Sequence, residues 1–532
     1  MPATAAVAET FTEDERRLLQ PYFSNLDGHV FALTNLPETV KGALFARYSR
    51  SAKSLRRLFL DEFAGDLAGV HVESSSVGVA RAEKLYAKVF NEYGDDSVAQ
   101  LGGAHIACEY VSNVLTKVLE WGRLMAYLEQ STRYVPYTDK LHGRWRYHLP
   151  EEVQGALRER YVRTMDAGFE AYASLIERMQ QHFAAKYPRA PHDSEGVHRA
   201  AIRAKALDTL RGMLPAATQS NVGLFGTGQA FEALLLRMRS HPLQEVRACA
   251  DQMLTELRTV IPAFLTRVDQ QERGGRWSDY LASTREATRQ IASRLFEGIE
   301  GDPRDEVTLT DFDPDGEIKI VAAALYAVSD LPDDQLLDIV RRMPVSERAA
   351  VLRAYAGSRG NRRHRPGRAF ERTAYRFDVL TDYGAFRDLQ RHRLLTLEWQ
   401  SLSTRHGYSE PDALREGGAL DSWTRVMDAS AELYEAMRTA GLDAAAPYAV
   451  AMAYRVRFYM EMNAREAMHV IELRTAPQGH PAYRRVCQQM HRLIAERAGH
   501  RAVADVMAFA DHSEVELERL KAERELERRR NR

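Results

Sequence analysis

A chain of 532 residues is more than one hydrophobic core ordinarily serves, so its length suggests two to four domains, and two large halves would fit. Lys plus Arg number 73 against 74 for Asp plus Glu, which excludes a global field drawing the protein to nucleic acid or a membrane surface; 45% hydrophobic with 28% charged residues excludes a disordered chain. Cys108, Cys249 and Cys487 have no CxxC spacing, the N-terminal stretch lacks a basic-then-apolar leader, and no apolar run is long enough to span a bilayer; neither a disulfide framework, a zinc site nor a membrane segment is expected, and a reducing cytoplasm suits the chain.

In chain order, Phe11, Leu18, Leu19 and Phe23 recur at helical spacing, Val30–Leu33 predicts a short strand, and Thr39–Arg50 a helix whose end, Tyr48-Ser49-Arg50-Ser51, reads more as an ordinary terminus than as a phosphate contact through its hydroxyls and Arg50. The segment from Asn91 is read as opening a long apolar-rich helix to about Leu128, ending in Trp121-Gly122-Arg123, seven residues, then Ser131-Thr132-Arg133-Tyr134. Glu151–Gln181 and Val197–Leu214 carry helical periods. Gly223, Gly226 and Gly228 lie just before a helix starting at Ala230; with no clear strand ahead of them they read more as a tight turn than as a phosphate cradle.

Residues 301–317, acidic and broken by Pro303, Pro314 and Gly316, predict a linker between domains at 1–300 and 318–513, with 514–532 a charged, solvated tail. Beyond the linker the plan repeats. A strand-like Ile318–Leu325 leads to Asp330-Leu331-Pro332, echoing Asn35-Leu36-Pro37, and Arg391-His392-Arg393 with Ser401 lies 270 residues after Trp121-Gly122-Arg123 with Ser131. His480-Pro481 echoes His241-Pro242, so the chain is a tandem duplication with insertions. Two guanidiniums flanking an imidazole, placed on one helical turn, make a donor surface for phosphate or a carbonyl-rich ring, or simply a solvated basic face. Arg362, Arg363, Arg365 and Arg368, held by Pro366-Gly367, suit a pyrophosphate or form a solvated loop. On a helix over 462–474, positions 463, 467, 470 and 474 share a face, with 465 and 469 adjoining. No nucleophile elbow, catalytic-cysteine signature, His-Glu-x-x-His or P-loop is present.

The two blocks resemble the pattern of the flavin-dependent thymidylate synthase (ThyX) family, Tyr-Gly-His-x-Ser followed by Arg-His-Arg-x7-Ser-x-Arg-Tyr. Tyr93, Gly94, Ser97, Glu129, Ser131, Arg133 and Tyr134 match it in the first copy, where Asp95, Trp121 and Gly122 depart; the second copy keeps Arg-His-Arg and Ser401 but has Trp399 where the family has Glu and Ser403 where it has Arg. The resemblance implies an α+β fold: two homologous ThyX-like domains in tandem, each a small, mainly antiparallel sheet flanked by long helices. It implies reductive methylation of deoxyuridine monophosphate with methylenetetrahydrofolate, FAD and NADPH. Arg391, His392 and Arg474 would be catalytic; Ser97, Glu129, Arg391, His392, Arg393, Asn463, Arg465 and His469 would hold the flavin; Ser131, Arg133, Ser401 and Arg474 would hold the nucleotide. Gly226, Gly228 and Arg237 would be the first-copy counterparts of Asn463, Arg465 and Arg474. Because each copy keeps what the other lost, the implied site is composite, and two fused copies stand for a homodimer, so that a homodimer of this chain would be a four-domain pseudo-tetramer. The expected partner is a small-molecule nucleotide, not nucleic acid or membrane. The alternatives are a relative that binds flavin or nucleotide without turnover, and one-carbon transfer to a different pyrimidine nucleotide.

Overall fold

The computed structural model describes residues 10–27, 31–48, 51, 53–62, 64 and 100–531. The first copy runs α1 (Glu13–Leu19), α2 (Glu38–Tyr48), α3 (Leu55–Glu62), β1 (Gly103–Ser112), α4 (Asn113–Leu119), β2 (Met125–Glu129), α5 (Gly155–Lys186), α6 (Glu195–Leu210), β3 (Gln219–Thr227), α7 (Gly228–Arg239), α8 (Gln244–Val260) and α9 (Arg276–Leu295). The second runs β4 (Val307–Phe312), α10 (Gly316–Tyr326), α11 (Asp333–Arg342), α12 (Val345–Ala356), β5 (Ala374–Asp382), α13 (Tyr383–Leu389), β6 (Thr396–Trp399), α14 (Leu420–Thr439), β7 (Arg455–Asn463), α15 (Ala464–Arg474), α16 (Pro481–Glu496) and α17 (Leu520–Arg530).

Two sheets carry the repeat. One has the order β1-β3-β2, the other β4-β5-β7-β6, so β5, β7 and β6 stand in the same order as β1, β3 and β2. Matching caps fix the correspondence residue by residue. Ser112 and Asp382 each accept the N–H three residues on and start α4 and α13, 270 residues apart; Thr227 and Asn463 do the same for α7 and α15, 236 apart. This cap register corrects one sequence expectation. Asn463 corresponds to Thr227, not Gly226, so the buried Met238 stands in the place of Arg474 and Arg237 in that of Leu473.

The chain forms two compact units: Met1–Cys108 with Leu124–Leu128 and Asn221–Gly298, and Glu109–Arg123 with Glu129–Ser220 and Ile299–Arg532. In the first, Phe231, Leu234 and Leu235 of α7 are fully buried, as are Val246 and Ala250 of α8. In the second, α5 buries a stripe at three- and four-residue spacing, Tyr161, Met165, Phe169, Tyr172, Ile176, Met179 and Phe183, and packs on α6 and α14. Its sheet is antiparallel, with Ala374 opposite Asn463 and Asp382 opposite Arg455; Tyr375, Phe377 and Val379 alternate inward.

Several predicted elements differ. In place of a helix to Leu128 the chain makes β1, α4 and β2, because Ser112 caps and restarts the backbone within the apolar run; residues 91–99 lie outside the described ones. Gly223 and Gly226 lie in strand β3 and Gly228 opens α7; a Cβ on Gly226 would come within 2.8 Å of the end of the Met125 side chain, which would have to move aside. Ile318–Leu325 lies in helix α10, in keeping with its three alanines. Within the expected linker, Val307 and Leu309 alternate inward in β4, opposite Val379 and Phe377. Where a strand was expected at 30–33, the described residues 31–33 form an isolated bridge, Leu33 to Phe23, and Val30 lies outside the described ones. The tail is not merely solvated: α17 docks on α6, Arg524 pairs with Asp193 at 2.5 Å, and buried Glu518 pairs with Lys205 at 2.6 Å.

Candidate functional site

All of the site described below lies within the second unit. Arg391 follows the last turn of α13 and His392 and Arg393 lie in the link to β6, so the three do not share a helical turn. That link brings them against first-copy residues. Glu129, at the end of β2, accepts from Arg387 at 2.9 Å, lies 3.4 Å from Lys117 and 3.7 Å from Arg391. Burial opposes its ionisation, but Arg387, Lys117 and Arg391 outweigh burial and hold its carboxyl down at about 2. Lys117 also holds buried Glu120 at 2.5 Å, and Gln390 donates to the Lys117 carbonyl at 2.8 Å.

Asp388 is the second anion. It pairs with Arg391 and lies 3.6 Å from Arg474 and 3.7 Å from Arg211, while Arg474 also donates to its backbone carbonyl. Against burial, Arg391, Arg474, Arg211 and Arg133 push its carboxyl far below the ordinary range. Arg133 forms a fork with buried Asp208 at 2.6 and 2.8 Å and donates to the Tyr483 hydroxyl at 3.1 Å. The free space among Glu129, Ser131, Arg133, Asp388 and Arg391 is 20 Å³, room for a water and no more.

Beside this ionic centre sits an imidazole pair. Arg474 donates through Nε to His392 Nε2 at 2.9 Å, which leaves the His392 proton on Nδ1, 3.7 Å from Glu466 Oε1. Burial, reinforced by Arg474, His469 and Arg391, keeps His392 neutral. The His469 ring lies 5.6 Å away, and burial with Arg365, Arg362 and Arg474 lowers its pKa to about 4. Burial raises Glu466 to about 7 despite Arg365, Arg465 and Arg393. His392, Glu466 and His469 present ligand atoms within 4.8 Å of one another, yet the surrounding guanidiniums make the position hostile to a divalent cation.

The structure thus brings Glu129, Arg133, Arg391, His392, His469 and Arg474 together. Ser131 accepts from the Arg133 N–H at 3.2 Å and lines the 20 Å³ gap. Asn463 spends its side chain as the α15 cap, and Arg465 is taken up by the Pro366 carbonyl at 2.9 Å and Glu371 at 3.1 Å. On the face shared by 463, 467, 470 and 474, Ala467 and Val470 are buried apolar residues, so the polar groups of that face stand only at its two ends. Arg393 is exposed with its charge felt by Glu466, Ser401 is exposed beyond β6, and Ser97 lies outside the described residues. In the basic loop, Arg365 lies 3.3 Å from His469. Sequence reasoning missed Asp388, Asp208, Lys117, Arg387 and Glu466. Asp388 and Arg387 were within reach, three and four residues ahead of Arg391, where a helix end places them beside it.

Where the second copy has Arg391, the first has Trp121; where the first has Glu129, the second has Trp399, each 270 residues apart. The two tryptophans meet edge to face at 5.8 Å, and Trp121 donates to the Leu397 carbonyl at 3.1 Å. One pseudo-equivalent position therefore holds an ionic pair and the other an aromatic pair.

The family model described as "Thymidylate synthase complementing protein" (Thy1) matches residues 43–263 and again 308–498. The chain is 38% identical over 520 residues to a "UPF0159 protein" of Chlamydia muridarum, covering 96% of this chain and 98% of that one, and 30% identical over 510 residues to a "UPF0159 protein" of Thermoplasma acidophilum, covering 91% and 97%. It is 27% identical over 174 residues to a "Flavin-dependent thymidylate synthase" of Clostridium tetani, covering 32% and 64%. Among solved structures it matches a UMP/dUMP methylase, PolB, from Streptomyces cacaoi bound with 5-Br dUMP, at 21% identity and a TM-score of 0.32, covering 38% of this chain and 95% of that one. With both halves matched by one family model, the chain belongs to the Thy1, thymidylate synthase complementing protein, family.

Proposed function

We propose that the protein methylates C5 of a pyrimidine nucleotide, with deoxyuridine monophosphate the first substrate to test, using methylenetetrahydrofolate, FAD and NADPH at one composite site per chain. The observation that carries this reading is the meeting of Glu129 and Arg133 with Arg391 and Arg474 around Asp388, set beside the tryptophan pair at the pseudo-equivalent position. The donor set fits a flavin: neutral imidazoles at His392 and His469 and guanidiniums at Arg365, Arg393 and Arg465 suit a carbonyl-rich ring and phosphates. When bound, the flavin would supply the hydride. The chain's own contribution is cationic: Arg391 and Arg474 hold the nucleotide and polarise its ring, and Arg474 fixes the His392 tautomer. A nucleotide needs far more than 20 Å³, so its phosphate takes over guanidiniums that Asp388 now occupies.

That occupation also favours a second reading, a binding protein without turnover, since the same arginines are already neutralised. The deciding experiment follows thymidylate formed from deoxyuridine monophosphate, folate donor, FAD and NADPH. Turnover lowered about a hundredfold or more by Arg391→Ala supports synthesis; a flavin-loaded protein that forms no methylated product from any pyrimidine nucleotide supports the second reading.

A further inference from the structure

A cavity of 590 Å³ opens beside Arg133, between α5 and α6, with Glu523 of α17 on its wall. It is the roomy neighbour of the filled ionic centre, and Arg133 belongs to both. Two further guanidiniums line it, Arg199 and Arg203, both exposed and four residues apart on one face of α6. Like charges at that spacing repel unless an anion lies between them. Among the described residues, Arg199 reaches only Glu195, at 3.9 Å across an exposed pair, and no ion pair or hydrogen bond of the Arg203 side chain is present. Glu523, the carboxylate on the cavity wall, is already held by Arg519 at 3.2 Å. Two cations that the ionic centre does not use therefore face a space large enough for a ligand.

We infer that this cavity binds a polyanionic tail, a run of two or more phosphates or carboxylates whose near end meets Arg133 and whose far end spans Arg199 and Arg203. Two sources share that chemistry: the outer phosphates of a nucleoside diphosphate or triphosphate, and the glutamyl carboxylates of a folate. Only the naming of the source rests on the function proposed above.

The test is calorimetry on the full chain with inorganic tripolyphosphate and orthophosphate, for the wild type and for Arg199→Gln/Arg203→Gln. Both side chains are exposed, so an unchanged Tm shows the variant folded. The wild type should prefer tripolyphosphate at least tenfold, and the double variant should lose about tenfold or more of that affinity. Two further comparisons name the source: deoxyuridine diphosphate against monophosphate, and pentaglutamyl against monoglutamyl folate. The pair whose difference disappears in the double variant identifies the tail. Tripolyphosphate binding that is absent, or equal in wild type and variant, overturns the inference. Binding that depends on the two arginines, in a protein that takes neither nucleotide nor folate, supports the cavity while refuting the proposed function.

Discussion

Asp388 meets Arg391, Arg474 and Arg211 within a buried cluster, so its charge does two things at once. It compensates guanidiniums that would otherwise repel, and it competes with any incoming phosphate. Asp388→Asn should therefore separate the two effects: stability falls by about 3 kcal/mol, while deoxyuridine monophosphate binds several-fold more tightly; titration calorimetry beside thermal melts checks both. His480 supplies a second prediction. Its Nδ1 accepts the Ala482 N–H at 3.2 Å at the head of α16, and burial with nearby Arg211 lowers its pKa from 6.5 to about 3. Between those values the unfolded chain binds the extra proton, so stability is full above 6.5 and is lost as pH falls, by about 2 kcal/mol from pH 7.5 to pH 5. His469, lowered to about 4, acts in the same direction, whereas Glu466, raised to about 7, removes stability as pH rises from 4.5 to 7. His480→Asn keeps a cap and should flatten the acid-side slope; an unchanged slope would assign it to other groups.

At the scale of elements, the β–helix–β unit built twice has diverged in pairs. Trp399 packs on Phe386 at 5.6 Å as well as on Trp121, so Trp399→Glu alone removes this packing and leaves a carboxylate with no cation supplied for it. Trp121→Arg added to it supplies the missing cation, and a double-mutant cycle should give a favourable coupling of about 1 kcal/mol or more; additive effects would mean the two positions do not pair. The 270-residue offset and the Arg-His-Arg and Ser-x-Arg motifs made the duplication and much of the site legible, because motif spacing survives when local pattern does not. Secondary structure around them was less legible. The β1–α4–β2 run is rich in apolar residues but broken by Glu109, Lys117 and Glu120, and period alone does not separate strand from helix there. Strand β3 hid behind two glycines, of which Gly226 lies close against the Met125 side chain, a tertiary fact. Asp388, although close in sequence to the motif, gains its meaning only from Arg474, 86 residues away, and Arg211, 177 residues away.

At the scale of the whole molecule, the pairing of Arg391 with Glu129 and of Trp121 with Trp399 leaves, among the described residues, an ionic centre of this kind at one of the two pseudo-equivalent positions, drawing on both copies. Arg133→Ala and Arg391→Ala should each abolish turnover, and mixing the two purified variants should restore none, because both residues serve the same centre in the same chain. Recovery on mixing would mean that the working site is shared between chains. Counting bound flavin per chain, from the visible spectrum of protein purified with excess FAD, separates one composite site from two sites or none. A single composite site requires one flavin, bleached by NADPH and reoxidised when folate donor and deoxyuridine monophosphate are added; two flavins per chain, or none, would rule it out.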